Sequence, residues 1–157
     1  MWFSRKQVAK SAKAPKGQLE LLPGQQVAAP NQLTTKRLGD AAESLALKHL
    51  VKAGLKLVDA NYRTPGRGGG EIDLVMRAPD GTLVFVEVRQ RSGQSHGGAG
   101  ASISAVKQQR IVLAARHYLM RFASAPPCRF DVVLVQGGLG EEGGANIEWL
   151  RAAFDAS

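Results

Sequence analysis

Two acidic residues on neighbouring predicted strands form the most informative pattern in the chain. Asp73 and Glu87 lie in two apolar runs, residues 71–76 and 83–89, which flank a Pro-Asp-Gly sequence at residues 79–81. If those three residues form a hairpin loop, paired positions sum to 160 and Asp73 faces Glu87 across the sheet. Like charges placed so are destabilising, and carboxylate pairs suit Mg²⁺ or Mn²⁺. The spacing therefore predicts a divalent metal site.

The same register sets Glu71 opposite Arg89, and two interpretations of this pair stay open. The two side chains form a plain cross-strand ion pair, or Glu71 supports the neighbouring acids. Charges at a strand end can also face solvent without any function. A one-residue slip of the hairpin would turn Asp73 and Glu87 to opposite faces, and the predicted metal site would then be lost.

The elements that must position these acids can be predicted from hydrophobic periodicity. Helical spacing predicts a first helix over residues 37–53, capped by Thr34 or Thr35 and ended by Gly54, and a second helix over residues 102–122. Runs rich in β-branched residues predict strands. These strands cover residues 55–62, 71–76, 83–89 and 129–135, with an edge strand over 147–150. Glycine-rich loops separate them at residues 64–70, 92–101 and 137–144.

The positive charge is concentrated near the N-terminus. The 157-residue chain has 21 Lys and Arg against 13 Asp and Glu, a net charge of +8, of which residues 1–38 carry +6. Residues 1–34 lack any sustained period, so we expect a basic, disordered tail followed by a single domain over residues 35–157. The tail either binds polyanions such as nucleic acid or is only a solvated extension, and its composition leaves both open.

Composition and motifs exclude several classes of protein. No run approaches the roughly 20 apolar residues of a membrane-spanning helix, and no apolar segment near the start resembles a secretory signal. The single cysteine, Cys128, cannot form an internal disulfide, and no cluster suits a structural zinc site. We therefore expect a protein of the reducing cytosol with no membrane partner.

An ordered series of motifs resembles the YraN family, small bacterial proteins similar to the restriction-endonuclease-like superfamily and, distantly, to archaeal Holliday-junction resolvases. The resemblance covers residues 37–151 and excludes the tail. Its motifs are Gly39-Asp40-Ala41-Ala42-Glu43, Asn61-Tyr62-Arg63, Gly70-Glu71-Ile72-Asp73-Leu74-Val75, Val84-Phe85-Val86-Glu87-Val88-Arg89, Lys107 and Arg129-Phe130-Asp131-Val132-Val133. The series as a whole is specific, whereas no single motif is.

The resemblance implies an α/β fold in which a central mixed sheet is flanked by helices in the order α-β-β-β-α-β. It also implies that Asp73 and Glu87 are catalytic metal ligands and that Glu43, on the first helix, is a third. From the helical pattern alone, a salt bridge explains Glu43 equally well. Arg89 stands where the superfamily usually has lysine. Arginine stays protonated and cannot act as a base, although it can stabilise transition-state charge.

Together these patterns predict a Mg²⁺- or Mn²⁺-dependent endonuclease that acts on nucleic acid, with DNA expected rather than RNA. The family analogy alone suggests that the DNA is branched or single-stranded. The metal would be held by Asp73 and Glu87, assisted by Glu43 or the carbonyl between residues 87 and 88. The alternative is a nucleic-acid-binding module with little or no catalysis, which the arginine at position 89 favours. A homodimer stays open, because relatives that cut two strands act as dimers, but no dimer face can be read from the sequence.

Four basic residues are the expected contacts to the nucleic-acid backbone. They are Lys107, Arg63, Arg67 and Arg91. Lys107 could instead extend from the edge of its helix into solvent, and loop solvation explains Arg63 and Arg67 equally well. Asp131, within an apolar strand, is expected to form a structural hydrogen bond or ion pair and so to support the site.

Overall fold

The computed structural model describes residues 30–91, 103–137 and 144–157. They form two helices and five strands, in an order that confirms the predicted α/β architecture; the predicted edge strand over residues 147–150 is present and longer, over Asn146–Phe154. The elements are α1 (Pro30–Lys52), β1 (Lys56–Arg63), β2 (Glu71–Arg77), β3 (Leu83–Arg91), α2 (Ala105–Leu119), β4 (Cys128–Gln136) and β5 (Asn146–Phe154). The predicted loop 92–101, most of the loop 137–144 and residues 1–29 of the expected tail lie outside the described residues.

Helix α1 starts earlier than the sequence pattern predicts. Its first residue is Pro30 rather than Arg37, so the predicted cap at Thr34 or Thr35 is wrong. Proline suits the first turn of a helix, where its missing N–H group has no intrahelical acceptor. The predicted end is confirmed, because Gly54 has φ +99° and the Leu55 amide donates to the Leu50 carbonyl. Neither helix in the described part of the chain is long and apolar enough to cross a membrane.

The hairpin between β2 and β3 has the register that the sequence predicts. Its backbone pairs are Leu74–Val86, Val75–Phe85, Met76–Val84 and Arg77–Leu83. The loop is a tight turn in which Gly81 has φ +90° and the Asp80 carboxylate accepts the Thr82 amide at 2.9 Å. Glycine is needed there because side chains disfavour that backbone conformation. The turn therefore sets which strand residues share a face.

The sheet is mixed, with strand order β1-β2-β3-β4-β5. Neighbouring strands are antiparallel except β3 and β4, which are parallel and joined through α2. A parallel pair requires such a crossover connection. Strand β3 therefore lies in the middle of the sheet, and its apolar residues alternate between two buried faces.

Each face of the sheet is covered by one helix. On one face α2 packs through Ile111, Ala114 and Tyr118 against β-strand residues that include Phe85. On the other face α1 packs through Ala42, Ala46 and Leu50 against strand residues of the opposite parity, including Val84. Glu87, on the central strand β3, is therefore buried beneath a helix, where an unpaired charge is costly.

Candidate functional site

Asp73 lies where the β2–β3 ladder ends. Regular pairing would continue beyond Leu74–Val86 and set Val88 opposite Ile72 through backbone hydrogen bonds. Instead, the Asp73 carboxylate oxygen Oδ2 accepts the Val88 amide at 2.7 Å. The predicted continuation of the backbone ladder through residues 73 and 87 is therefore wrong, because a side chain takes the place of the backbone partner.

Glu87 is the buried member of the acidic pair. Its side chain is only 9% exposed, and Oε1 lies 3.3 Å from the Lys107 Nζ of helix α2. The carboxyl groups of Glu87 and Asp73 interact directly. The second oxygen, Oε2, is buried and has no hydrogen-bond donor among the described residues. A buried carboxylate oxygen without a donor is rare in proteins and is a candidate metal ligand.

The electrostatics of the pair favour the binding of a cation. Burial, and then the adjacent Asp73 carboxylate, raise the pKa of Glu87 to about 7, while Lys107 acts in the opposite direction. Burial also raises the pKa of Asp73, and the Val88 amide and Lys107 partly offset this effect. Both carboxyl groups are thus disfavoured as anions, as expected for two acids that share a poorly solvated site.

A cavity of about 380 Å³ opens beside Glu87 on the α2 face. It is lined by Glu87, Arg89, Ile103, Ser104 and Lys107. Ser104 caps α2, with its hydroxyl accepting the Lys107 amide at 3.3 Å, so the positive end of the helix dipole faces this cavity. Arg89 is half-buried along its wall. The cavity thus places cationic groups next to the acidic pair.

Glu43 approaches the pair from the opposite helix. It is half-buried on α1, and its side chain hydrogen-bonds with Asn61. Burial raises the pKa of Glu43, as do the charges of Asp73, Asp40 and Glu71. Nevertheless, the described residues contain no group of three His, Cys, Asp or Glu side chains spaced to hold one metal ion. The structure brings together two of the three predicted ligands and places Glu43 in their electrostatic neighbourhood.

Glu71 forms an ion pair with strand β1, rather than with strand β3 as the sequence predicted. It lies 3.0 Å from the guanidinium of Arg63, its partner in the β1–β2 ladder, rather than being matched with Arg89 in a β2–β3 ladder. The physical reason is the early end of the β2–β3 pairing, which leaves β1 as the neighbouring strand of this segment. Arg63 is largely exposed, but its guanidinium already contacts an acid.

Arg67 and Arg91, both predicted to contact the nucleic-acid backbone, are in contrasting surroundings. Arg67 is exposed in the loop between β1 and β2. Arg91, at the end of β3, is only 18% exposed, and its guanidinium lies 3.6 Å from Glu148 of β5. Arg67 is accessible to a ligand, whereas Arg91 is largely occupied in linking β3 to the edge strand.

Asp131 is fully buried and has a structural set of partners. Its carboxylate accepts the Arg129 Nε at 3.0 and 3.2 Å, the Trp149 indole N–H at 2.9 Å and the Ala152 amide at 3.0 Å. Ala152 has φ +47° beside a register shift between β4 and β5. Asp131 therefore satisfies the backbone of a β-bulge, and none of these partners belongs to the acidic pair.

Two residues of the site are not among those predicted from the sequence. Asn61 has φ +52° within β1 and hydrogen-bonds with Glu43, and Ser104 caps α2 at the cavity. An asparagine is tolerated at positive φ, and a serine directly before a run of helical spacing is a readable cap signal. The hydrogen bond between Asn61 of β1 and Glu43 of α1 could not be predicted from the sequence.

The sheet, its two covering helices and the acidic pair on its inner strands define an α/β protein with a restriction-endonuclease-like core. The chain belongs to the uncharacterised protein family UPF0102, whose sequence profile matches residues 42–135, and this confirms the resemblance to the YraN family. A UPF0102 protein of Polaromonas naphthalenivorans is 70% identical over 159 aligned residues that cover all of both chains. Another, from Albidiferax ferrireducens, is 66% identical over 78% of this chain and 91% of its own length. These descriptions state no activity.

Proposed function

We propose that this protein is a Mg²⁺- or Mn²⁺-dependent endonuclease that hydrolyses phosphodiester bonds, with DNA as its substrate class. The observation that carries the proposal is the buried Glu87 oxygen without a donor among the described residues, next to Asp73 and beside a cavity with cationic walls. A scaffold that needed only stability would be better served by apolar residues, because burial and the adjacent Asp73 carboxylate raise the pKa of Glu87, and a buried charge disfavoured in this way weakens the fold.

The donor set fits a hard divalent cation. Mg²⁺ is commonly bound by one or two carboxylates and retains several water molecules. Asp73 and Glu87 would hold the ion, and the buried Oε2 atom of Glu87, which has no hydrogen-bond donor among the described residues, would be one of its ligands. Glu43, engaged with Asn61, would add negative charge nearby and bind through water. When bound, the metal ion would supply an activated water molecule and charge neutralisation at the scissile phosphate.

The cationic residues of the cavity would position the substrate. Arg89 carries a permanent charge and would hold a phosphate oxygen through its guanidinium group. Position 89 of β3 has an arginine instead of the lysine that is usual in the superfamily, and Lys107 of α2 would supply the missing amine. Its Nζ lies 3.3 Å from Glu87. Because Lys107 is 42% exposed, its amine can turn from Glu87 to a phosphate oxygen once a cation has neutralised the acidic pair.

Cleavage assays on full-length protein test the proposal. Plasmid and forked DNA are incubated with Mn²⁺, and the variants Asp73→Asn and Glu87→Gln are compared with Glu71→Gln, a nearby acid in an exposed ion pair. We expect both site variants to lose at least about 100-fold in rate, because altering even the outer-shell partners of metal ligands costs about 10- to 100-fold, while Glu71→Gln retains most activity. Equal activity in all four proteins would refute the proposed active site.

The second candidate is a nucleic-acid-binding module without cleavage. Arg89 in place of a lysine supports it, as does the lack of a third metal ligand within the described ranges. Salt-dependent DNA binding by the wild-type protein, with no metal-dependent cutting of either substrate, would favour this candidate. Either activity suits the reducing cytosol, where the single exposed Cys128 would remain a free thiol.

A further inference from the structure

We propose that one face of helix α2 and of the turn after it, formed by Lys107, Arg110 and Arg121 and here called the basic face, binds the phosphodiester backbone that leads away from the acidic pair. The inference rests on the proposed function, because it extends the same site along its substrate. It assigns a role to Arg110 and Arg121, two residues outside the predicted set of nucleic-acid contacts.

The charge of this segment has one sign. Residues 103–127, which contain α2 and the turn after it, include four Lys and Arg residues, one histidine and no acid. The rest of the domain mixes both signs. A positively charged segment next to an acidic site is the arrangement expected where a polyanion must be held while its reacting phosphate is placed at a metal.

Helix geometry relates two residues of the basic face. At 100° per residue, Lys107 and Arg110 fall within a sector of about 60° on α2, and at 1.5 Å per residue the helix from Lys107 to its last residue, Leu119, spans about 18 Å. This length corresponds to roughly five nucleotides along one strand of duplex DNA at about 3.4 Å each. Arg121 lies two residues beyond the end of the helix, in the turn that follows it. The face starts at Lys107, which contacts Glu87, and so is continuous with the proposed active site.

The loop between β1 and β2 lies against the middle of this face. A Cβ atom on Gly70 would overlap the Arg110 carbonyl oxygen, so the end of the loop and the helix are in close contact. The Thr64 amide donates to the Gly70 carbonyl and closes the loop that carries Arg67. The loop that carries the exposed Arg67 therefore packs, at its Gly70 end, against the turn of α2 that carries Arg110.

The state of each guanidinium group fits this role. Arg110 is exposed and forms no ion pair within the described part of the chain. Arg121 lies 4.8 Å from the centre of the Tyr62 ring and 4.3 Å from that of Tyr118, and it contacts Asp59 at 3.3 Å. Stacking on two rings restrains a guanidinium group that is still half exposed, which lowers the entropy lost when it binds phosphate.

The same helix provides a matched control. Arg116 lies on the side of α2 opposite to Lys107, about 180° away, where its guanidinium donates to the Ala156 carbonyl at 3.3 Å. It has the same charge and helical environment as Arg110 but lies beside the C-terminal end of the chain. A general electrostatic effect would act equally at both positions, whereas a defined phosphate contact acts only at Arg110.

The test compares Arg110→Ala with Arg116→Ala in full-length protein, so that residues 1–29 contribute equally to both. Affinity for a fluorescent forked DNA is measured by anisotropy in EDTA over a range of salt concentrations. We expect Arg110→Ala to weaken binding about five- to tenfold near 0.1 M salt and to reduce the salt slope by about 1, while Arg116→Ala changes affinity less than about twofold. Arg110→Lys should restore the slope, because the contact is to charge.

Three outcomes are informative. A loss confined to Arg110→Ala, equal on DNA of different sequences, supports the basic face. Equal affinities for Arg110→Ala and Arg116→Ala overturn it, and the proposed function survives if the wild-type protein still cleaves DNA in a manner that depends on Asp73. Binding that depends on Arg110 without cleavage supports the basic face and overturns the proposed endonuclease.

Discussion

Replacing Glu87 by glutamine should stabilise the metal-free protein at alkaline pH. Glutamine has nearly the shape of glutamate but carries no charge, so it removes the ionisation of a buried group beside Asp73. The variant retains the position of the side chain, and its amide can donate a hydrogen bond to the Asp73 carboxylate. The gain should therefore reflect the removal of an unfavourable buried charge rather than repacking.

The size of the effect follows from the raised pKa of Glu87. Folding raises this pKa from 4.5 to about 7, and each pKa unit corresponds to about 1.4 kcal/mol. Because the folded-state pKa is above the unfolded value, the stabilisation by protonated Glu87 is complete below pH 4.5 and is lost as the pH rises through about 7. The wild-type protein should lose up to about 3 kcal/mol between these limits, and Glu87→Gln should not.

The assay is urea denaturation in EDTA at about pH 5 and pH 8, followed by far-ultraviolet circular dichroism. We expect the two proteins to have similar free energies of unfolding at the lower pH, and the variant to be about 1–3 kcal/mol more stable at the higher pH. Glu71→Gln, which removes an exposed ion pair, should change stability by less than about 1 kcal/mol. Adding Mn²⁺ at the higher pH should stabilise the wild-type protein but not Glu87→Gln.

Two results would refute this reasoning. If Glu87→Gln is less stable than the wild-type protein at alkaline pH in EDTA, the charge of Glu87 is well compensated by Lys107 and the acidic pair is an ordinary ion-pair network. If Mn²⁺ stabilises both proteins equally, Glu87 does not hold the metal ion.

Three further changes test the packing and charge balance around the site. Gly70→Ala should destabilise the protein by about 3 kcal/mol in urea denaturation, the upper end of the usual cost of overpacking, because its Cβ would overlap an α2 carbonyl oxygen. Gly39→Ala, in open space on α1, should be neutral or stabilise by up to about 1 kcal/mol. Asp131→Asn should lower stability by about 2–4 kcal/mol, since it leaves buried donors poorly paired, and an unchanged urea midpoint would contradict that role. Lys107→Met should raise the pKa of Glu87 further, which carboxyl NMR titration would detect as a higher midpoint.

The local structure of the site was largely predictable from the sequence. The Pro-Asp-Gly loop sets the register of one hairpin through its own backbone preferences. That register brings Asp73 and Glu87 near each other, although the backbone ladder itself ends at Leu74–Val86. Period-2 and helical patterns likewise predicted the strands and the end of α1 at Gly54. These features depend on residues that are close along the chain, where steric preference and alternation of faces are strong.

The tertiary structure decided the contacts between elements that are distant along the chain. The sequence did not show that Lys107 would reach Glu87 from α2, that Glu71 would pair with Arg63, or that the Asp73 carboxylate would accept a backbone amide of β3. Each of these depends on how the sheet twists and how closely α2 approaches it, and therefore on packing throughout the core. Residue types and local pattern determine which groups are available, while the relative positions of the helices and strands determine which of them meet.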